Sequence, residues 1–187
     1  MQKLILFCGP SGSGKTSLVH FLLKQYPLFT FSVSATTRPK RLNEIDGKDY
    51  YFLSVEEFKN KIDSNDFLEW EEVYPGRFYG TLKSEVDRLA ALGKVVLFDV
   101  DVKGGLSIRN HYGDRILDVF VMPPSLTELK NRLVARESET ADSLKKRLAK
   151  AGLEMNYADR FSYIIVNDDF NKTINEATML VENFLAA

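Results

Sequence analysis

Eight consecutive residues restrict what this chain can fold into more than any other stretch. They are Gly9-Pro10-Ser11-Gly12-Ser13-Gly14-Lys15-Thr16, which fits G-x-x-x-x-G-K-[ST] at every position. Before them, Leu4-Ile5-Leu6-Phe7-Cys8 is an apolar run of the length of a buried strand. After them, Leu18, Phe21, Leu22 and Gln25 to Tyr26 recur at helical spacing. A glycine-rich loop between a strand and a helix can turn its N–H groups inward as an anion-binding nest, and the helix adds its partly positive end. Lys15 supplies a mobile full charge for β- and γ-phosphates, and Thr16 offers a hydroxyl to Mg2+. Ser17 after Thr16 is within the usual variation of the motif. A chance glycine turn carrying a lysine would not come with both flanks. The motif therefore fixes a nucleoside triphosphate site over Gly9 to Ser17, but not what receives the phosphoryl group.

The rest of the chain alternates strand and helix signals. Phe29 to Ala35 alternates apolar and polar and predicts one strand after a first helix that ends near Tyr26-Pro27. Ser54-Val55-Glu56-Glu57 is a capping box, so a helix is expected from Val55 to about Asp63. Phe67 to Tyr74 reads as a strand closed by the turn Pro75-Gly76. A helix follows over Leu82 to Leu92 with Gly93 at its end, then the apolar strand Val95-Val96-Leu97-Phe98 running into Asp99-Val100-Asp101. A helix from about Gly104 to His111 and a strand from Ile116 to Met122 come next. Ser125-Leu126-Thr127-Glu128 is a second capping box, opening a helix through about Arg136. Residues 137–142 read as a polar loop tip, and a long helix is expected over Ser143 to Tyr157. The last strand spans Tyr163 to Val166, and Ile174, Ala177, Val181 and Phe184 give the final helix its apolar face. This alternation predicts an α/β fold: a parallel sheet with a phosphate loop, covered by helices on both faces. Residues 32–84 look like a small mixed α/β insertion. The polar hairpin 125–157 has few apolar residues for a core role and is expected to project as a lid.

Composition narrows the class. The chain has 187 residues, which suits one domain with small insertions, and a net charge of −1. That balance gives no field to attract nucleic acid or a membrane surface. Cys8 is the one cysteine, placed in the apolar first strand, so it is expected to be a core residue in a chain suited to a reducing, cytoplasmic compartment. Met1-Gln2-Lys3 leads directly into an apolar run too short for a signal peptide, and no run reaches the length of a membrane span. His20 and His111 are expected at the surface, while Trp70 and the phenylalanines read as core.

A second constellation lies at Thr36-Thr37-Arg38-Pro39-Lys40-Arg41-Leu42-Asn43-Glu44-Ile45-Asp46-Gly47-Lys48-Asp49-Tyr50-Tyr51-Phe52. Arginine presents a planar fork that matches a phosphate, and the tyrosine hydroxyl donates without adding charge. This stretch resembles the guanylate kinase signature T-[ST]-R-x-x-[KR]-x-x-[DE]-x-x-G-x-x-Y-x-[FY] at every defined position. The resemblance continues through Phe67-Leu68-Glu69-Trp70, Phe78-Tyr79-Gly80-Thr81, Asp99-Val100-Asp101, Pro123-Pro124-Ser125, the arginines at 132, 136 and 147, and Ile165-Val166-Asn167-Asp168-Asp169. It covers essentially the whole chain in order.

The resemblance implies a core (1–31, 85–124 and 158–187), a GMP-binding insertion (32–84) and a lid (125–157). It implies Mg2+-dependent transfer of the ATP γ-phosphoryl group to GMP or dGMP. Arg38, Arg41, Tyr50 and Tyr79 are then expected to hold the GMP phosphate, with Arg38 also facing the transferred group. Ser34, Glu69, Thr81 and Asp101 are expected around the guanine, whose N1–H and N2–H donors suit an acceptor-only carboxylate such as Glu69. Arg132, Arg136 and Arg147 become lid residues closing on the phosphoryl group, and Asn167 resembles the family's adenine contact. Asp99, at the end of an apolar strand beside the phosphate loop, is suited to Mg2+ with Thr16. Its duty is not separable from guanine binding at this level. Partners are the small molecules ATP and GMP, with the oligomeric state, monomer or dimer, left open. Two other classes share the fold. Non-catalytic guanylate-kinase-like scaffold modules typically lose phosphate-loop residues, which this chain keeps. A kinase for another acceptor, such as a ribose bisphosphate, has no need of Glu69 with Ser34 and Thr81.

Overall fold

The computed structural model describes residues 3–135 and 141–187. Arg136 and the greater part of the expected 137–142 loop tip lie outside the described residues. β1 (Leu4–Cys8) is buried throughout, and α1 (Lys15–Gln25) starts directly behind Gly14. β2 (Phe29–Phe31) and β3 (Ala35–Thr36) follow. The single strand expected over Phe29 to Ala35 is therefore two, broken at Ser32-Val33-Ser34, and each half joins a different sheet. A period-two pattern satisfies either sheet equally well, so alternation carries no mark of where a chain changes partners.

β4 (Tyr51–Phe52) leads into α2 (Val55–Asp63), whose capping box is complete. Ser54 Oγ accepts from the Glu57 N–H at 3.1 Å, and Glu57 Oε2 accepts from the Ser54 N–H at 2.7 Å. β5 (Phe67–Tyr74) and β6 (Arg77–Leu82) form a hairpin turning at Pro75-Gly76. α3 (Lys83–Ala91), β7 (Val95–Val100) and α4 (Val102–Tyr112) come next. α4 begins two residues earlier than expected, because the Asp101 side chain caps it by accepting from the Gly104 N–H at 2.9 Å. β8 (Ile116–Met122), α5 (Leu126–Val134), α6 (Ala141–Met155), β9 (Tyr163–Val166) and α7 (Phe170–Ala186) complete the chain.

The main sheet is parallel in the order β2-β7-β1-β8-β9. Alternate residues of β1 face opposite ways. Leu4, Leu6 and Cys8 pack with Val86, Leu89, Ile108 and Tyr112 of α3 and α4. Ile5 and Phe7 pack with Leu18 and Leu22 of α1 and Ala177 and Val181 of α7. Both faces are thus covered, as expected. The chain passes to one side of β1 to make β2 and later to the other to make β8 and β9. The carboxyl end of β1 is the switch point of the sheet, where such folds open a crevice.

A second, mixed sheet has the order β4-β3-β6-β5 and its own aromatic core. Phe58 stacks on Phe67 and Phe78 with ring centroids 4.3 and 5.3 Å apart. Trp70 corrects the expectation of a core residue: it is 42% exposed. β5 is an edge strand, and alternation puts Trp70 on the side opposite Glu69. The hairpin α5–α6 is also less polar inside than expected. Leu129, Leu133 and Ala151 are buried, with Leu144 and Leu148 against them. This seam is narrow, and composition averaged over both helices hides it. Cys8, His20 and His111 lie where expected, the first buried and the others exposed. Among the described residues no helix is long and apolar enough to cross a membrane.

Candidate active site

The phosphate loop is built mostly from backbone. It turns through a hydrogen bond from the Ser13 N–H to Pro10 O at 3.1 Å. Gly14 takes φ 99°, and the Asn167 amide nitrogen fills the space where a side chain at Gly14 would lie. Asn167 is 4% exposed and braces the loop. Its Nδ2 donates to Ser13 O at 2.7 Å, and its Oδ1 accepts from Thr173 Oγ1 at 3.0 Å. On the other flank the methyl groups of Leu129 and Leu133 sit against Gly12. Lys15 folds back over the loop, donating from Nζ to Gly9 O at 2.8 Å and to Pro10 O at 3.1 Å. Burial lowers the pKa of its ammonium, against the pull of Asp99. Thr16 Oγ1 donates to Asp99 Oδ2 at 2.6 Å, because Asp99 pairs in register with Phe7 near the end of β1. A cleft of about 330 Å³ runs from Gly9 through Lys15 and Thr16 to Asp99, Arg147 and Lys150.

The region expected to hold the acceptor is built from side chains. Arg38 grips Glu44 with both arms of its guanidinium, Nη1 to Oε2 at 2.8 Å and Nη2 to Oε1 at 2.6 Å. It lies over the rings of Tyr50 and Phe52, 5.2 and 5.6 Å from their centroids. The Arg41 N–H also donates to Glu44 Oε2, at 2.8 Å, while the Arg41 side chain is exposed. The two-pronged contact with Arg38, joined by that N–H, pulls the Glu44 carboxyl down to about 2, and the same contact holds Arg38 up. Tyr79 meets Tyr50 edge to face at 6.1 Å. The fork that could take a phosphate is thus already fixed in direction by Glu44.

On the same face of that sheet, since Tyr79 and Thr81 are two residues apart on β6, Thr81 Oγ1 donates to Glu69 Oε1 at 2.6 Å. A Cβ built on Gly104 would lie 3.3 Å from Glu69 Oε2 and 3.5 Å from Asp101 Oδ1, so the two carboxylates flank the start of α4. Ser107 Oγ donates to Leu68 O at 2.6 Å and ties α4 to β5 there. Burial raises the Glu69 carboxyl, and the charge of Asp101 adds to that. Burial works the same way on Asp101, but the Gly104 N–H and Lys150 outweigh it and hold it low. A cleft of about 500 Å³ is lined by Glu69, Asp101, Lys103 and Gly104. Asp101 lines both this cleft and that of the phosphate loop.

Not every expected residue joins these clefts. Ser34 is half-buried, and its carbonyl accepts from the Tyr51 N–H at 2.9 Å. Arg147 lines the phosphate cleft, but Arg132 does not. Its Nη2 donates to Asn167 O at 2.9 Å and its Nε to Glu128 Oε1 at 3.0 Å, which places it in a separate cleft of about 280 Å³ with Gly12, Ser17 and Phe170. Three residues escaped the reading of the sequence. Glu44 fills the [DE] position of the signature, yet its work on Arg38 shows only in space. Lys150 and Glu154 sit in a polar helix with nothing to mark them; Lys150 Nζ donates to Asp101 Oδ2 at 3.0 Å and lies 3.5 Å from Glu154 Oε1.

The profile of the guanylate kinase family matches residues 1–184. A guanylate kinase of Bacteroides fragilis is 46% identical over 98% of this chain and 90% of its own length. One of Salinibacter ruber is 47% identical over 100% of this chain and 98% of its own length. The crystal structure of guanylate kinase from Anaplasma phagocytophilum superposes with a TM-score of 0.68 at 28% identity, covering 97% of this chain and 85% of that one. With whole-chain similarity added to a phosphate loop beside a carboxylate-lined pocket, the chain belongs to the guanylate kinase family.

Proposed function

We infer that this chain is a working guanylate kinase, moving the γ-phosphoryl group of ATP to GMP or dGMP to give ADP and GDP or dGDP. One observation carries the reading: the phosphate-loop cleft and the cleft lined by Glu69 meet at Asp101. A phosphate donor and a base held in these two clefts face each other across a few residues. An oxygen of the GMP phosphate attacks the γ-phosphorus, and the bond from that phosphorus to the bridging oxygen of ADP breaks. Arg38, with Arg41, Tyr50 and Tyr79, holds the attacking phosphate. Lys15 and Arg147 stabilise the charge that spreads over the transferred group, a service worth most where water is excluded. Glu69 takes the guanine N1–H and the nearer N2–H, with Thr81, Ser34 and Asp101 around it.

Thr16 and Asp99 present hard oxygen ligands to one point, which suits Mg2+ shared with nucleotide phosphates. The ion would neutralise phosphate charge there. Asn167 and Arg132 support the back of the loop, beside the cleft where the adenine of ATP would lie. We read residues 1–31, 85–124 and 158–187 as core, 32–84 as acceptor insertion and 125–157 as lid. The buried clusters of the two smaller parts support that division. The site of action is the cytoplasm, where both nucleotides are available.

The test is ADP release with GMP, dGMP, AMP, UMP and CMP. GMP and dGMP should be turned over. AMP should fall behind by up to about 10⁴–10⁵ in kcat/KM, since its N1 lone pair would face the Glu69 carboxylate. Equal turnover of AMP, or no turnover of GMP, would overturn the reading.

A further inference from the structure

Lys150 has no role in the family resemblance, yet it is placed with care. It stands on α6, and its ammonium reaches Asp101 Oδ2 at 3.0 Å and approaches Glu154 Oε1 at 3.5 Å. Its side chain is 56% exposed, and an ion pair so exposed adds little to stability. What it does add is direction. Asp101 Oδ1 accepts from the Gly104 N–H at 2.9 Å. With Lys150 on Oδ2, both oxygens are held, and the plane of the carboxylate is set. With one donor alone the group can rotate about its Cβ–Cγ bond. The acidic surroundings sharpen the need for it: Glu71, Asp101, Lys150 and Glu154 line one cleft of about 310 Å³, and Glu69 approaches Gly104 at the same point as Asp101.

Guanine explains what a fixed Asp101 is for. Its 2-amino group carries two hydrogens. A Glu69 carboxylate that spans N1–H and the nearer N2–H leaves the second N2–H pointing away, in need of another acceptor. Each carboxylate oxygen has two lone pairs, so Asp101 can keep Gly104 and Lys150 and still accept one more donor. We propose that Lys150 is a positioning residue for base recognition, aiming Asp101 at the 2-amino group of guanine from across the cleft. This rests on the reading that Asp101 faces guanine. It makes the hairpin helix α6 part of substrate selection as well as of phosphate handling.

Comparing GMP with IMP isolates the effect, because IMP lacks only the 2-amino group. Steady-state rates with each are measured for the wild type, Lys150→Ala, Lys150→Arg, Asp101→Asn and the double variant of Lys150→Ala with Asp101→Asn. Lys150→Ala should raise the KM for GMP and lower the GMP-over-IMP preference about three- to tenfold, the worth of one modest hydrogen bond. Lys150→Arg should restore the preference, and the double variant should be no less selective than Asp101→Asn alone. If Lys150→Ala slows GMP and IMP equally, or leaves their ratio intact while Asp101→Asn changes it, Lys150 does not position Asp101 and the proposal is wrong. If Asp101→Asn itself leaves the ratio intact, the placing of Asp101 at guanine fails, and the proposal falls with it.

Discussion

The two halves of the proposed active site are held in place for opposite reasons. The phosphate half is eight contiguous residues whose binding groups are backbone N–H donors, braced from behind by Asn167 and from the side by Leu129 and Leu133. The acceptor half draws Arg38, Glu44, Glu69, Thr81 and Asp101 from separate segments, and its order comes from charge pairs and short hydrogen bonds between side chains. A backbone site recognises an anion whatever it is attached to. A side-chain site can choose a base. The division of labour between donor and acceptor nucleotides thus follows from the kind of group that each half is made of.

Three experiments bear on that comparison. The largest effect should come from Lys15→Ala, which removes the one full charge within the phosphate loop itself, Gly9 to Thr16. It should lower kcat by about 10²–10³, as loss of a charge-stabilising donor does elsewhere, while circular dichroism and GMP binding stay normal. Turnover near the wild-type rate would mean that the backbone nest alone carries the phosphate.

A smaller effect should follow from Glu44→Gln. The fork of Arg38 would lose its charged anchor, and the KM for GMP should rise roughly tenfold with the KM for ATP unmoved. Calorimetry with GMP checks it. Unchanged affinity would show that the acceptor half does not depend on being arranged beforehand.

The smallest effects should appear in stability against pH, where the two glutamates carry opposite signs. Glu44 is held at about 2 from an ordinary 4.5, so its contribution is present above about 4.5 and is lost as the pH falls toward 2. Glu69 is raised by burial, so its charged form costs stability at neutral pH, and that cost eases on protonation as the pH drops through its raised value. In urea titrations at pH 7, Glu44→Gln should therefore lower the midpoint and Glu69→Gln should leave it level or raise it. The Glu44→Gln deficit should close in acid. A deficit for both at pH 7 would show that Glu69 stabilises the fold as Glu44 does, and that the base-reading end is not strained. The same upward shift predicts that kcat/KM for GMP declines on the acid side as Glu69 takes up a proton, at a pH above glutamate's ordinary 4.5.

How much of this was legible in the residues themselves varies by range of interaction. The phosphate loop, the capping box at Ser54, the Ser125 half of the second box (Glu128 turns to Arg132 instead of closing it) and the strand from Tyr163 to Val166 depend on neighbours in the chain, and they stand in the structure where the sequence puts them. The alternation of strands and helices sufficed for a parallel sheet covered on both faces, because burial on two sides leaves a continuous apolar run. Contacts between distant segments had no such mark. The division of residues 29–36 between two sheets, the exposure of Trp70 and the apolar seam at Leu129, Leu133 and Ala151 were all decided by which surfaces met. So were the grip of Glu44 on Arg38 and the reach of Lys150 to Asp101. An ion pair between residues 49 apart depends on where two helices come to lie, and the pattern along one helix holds no information about a carboxylate on another. Local hydrogen bonding and periodicity thus fixed the elements and the phosphate loop, while tertiary packing alone decided which side chains share the proposed acceptor site.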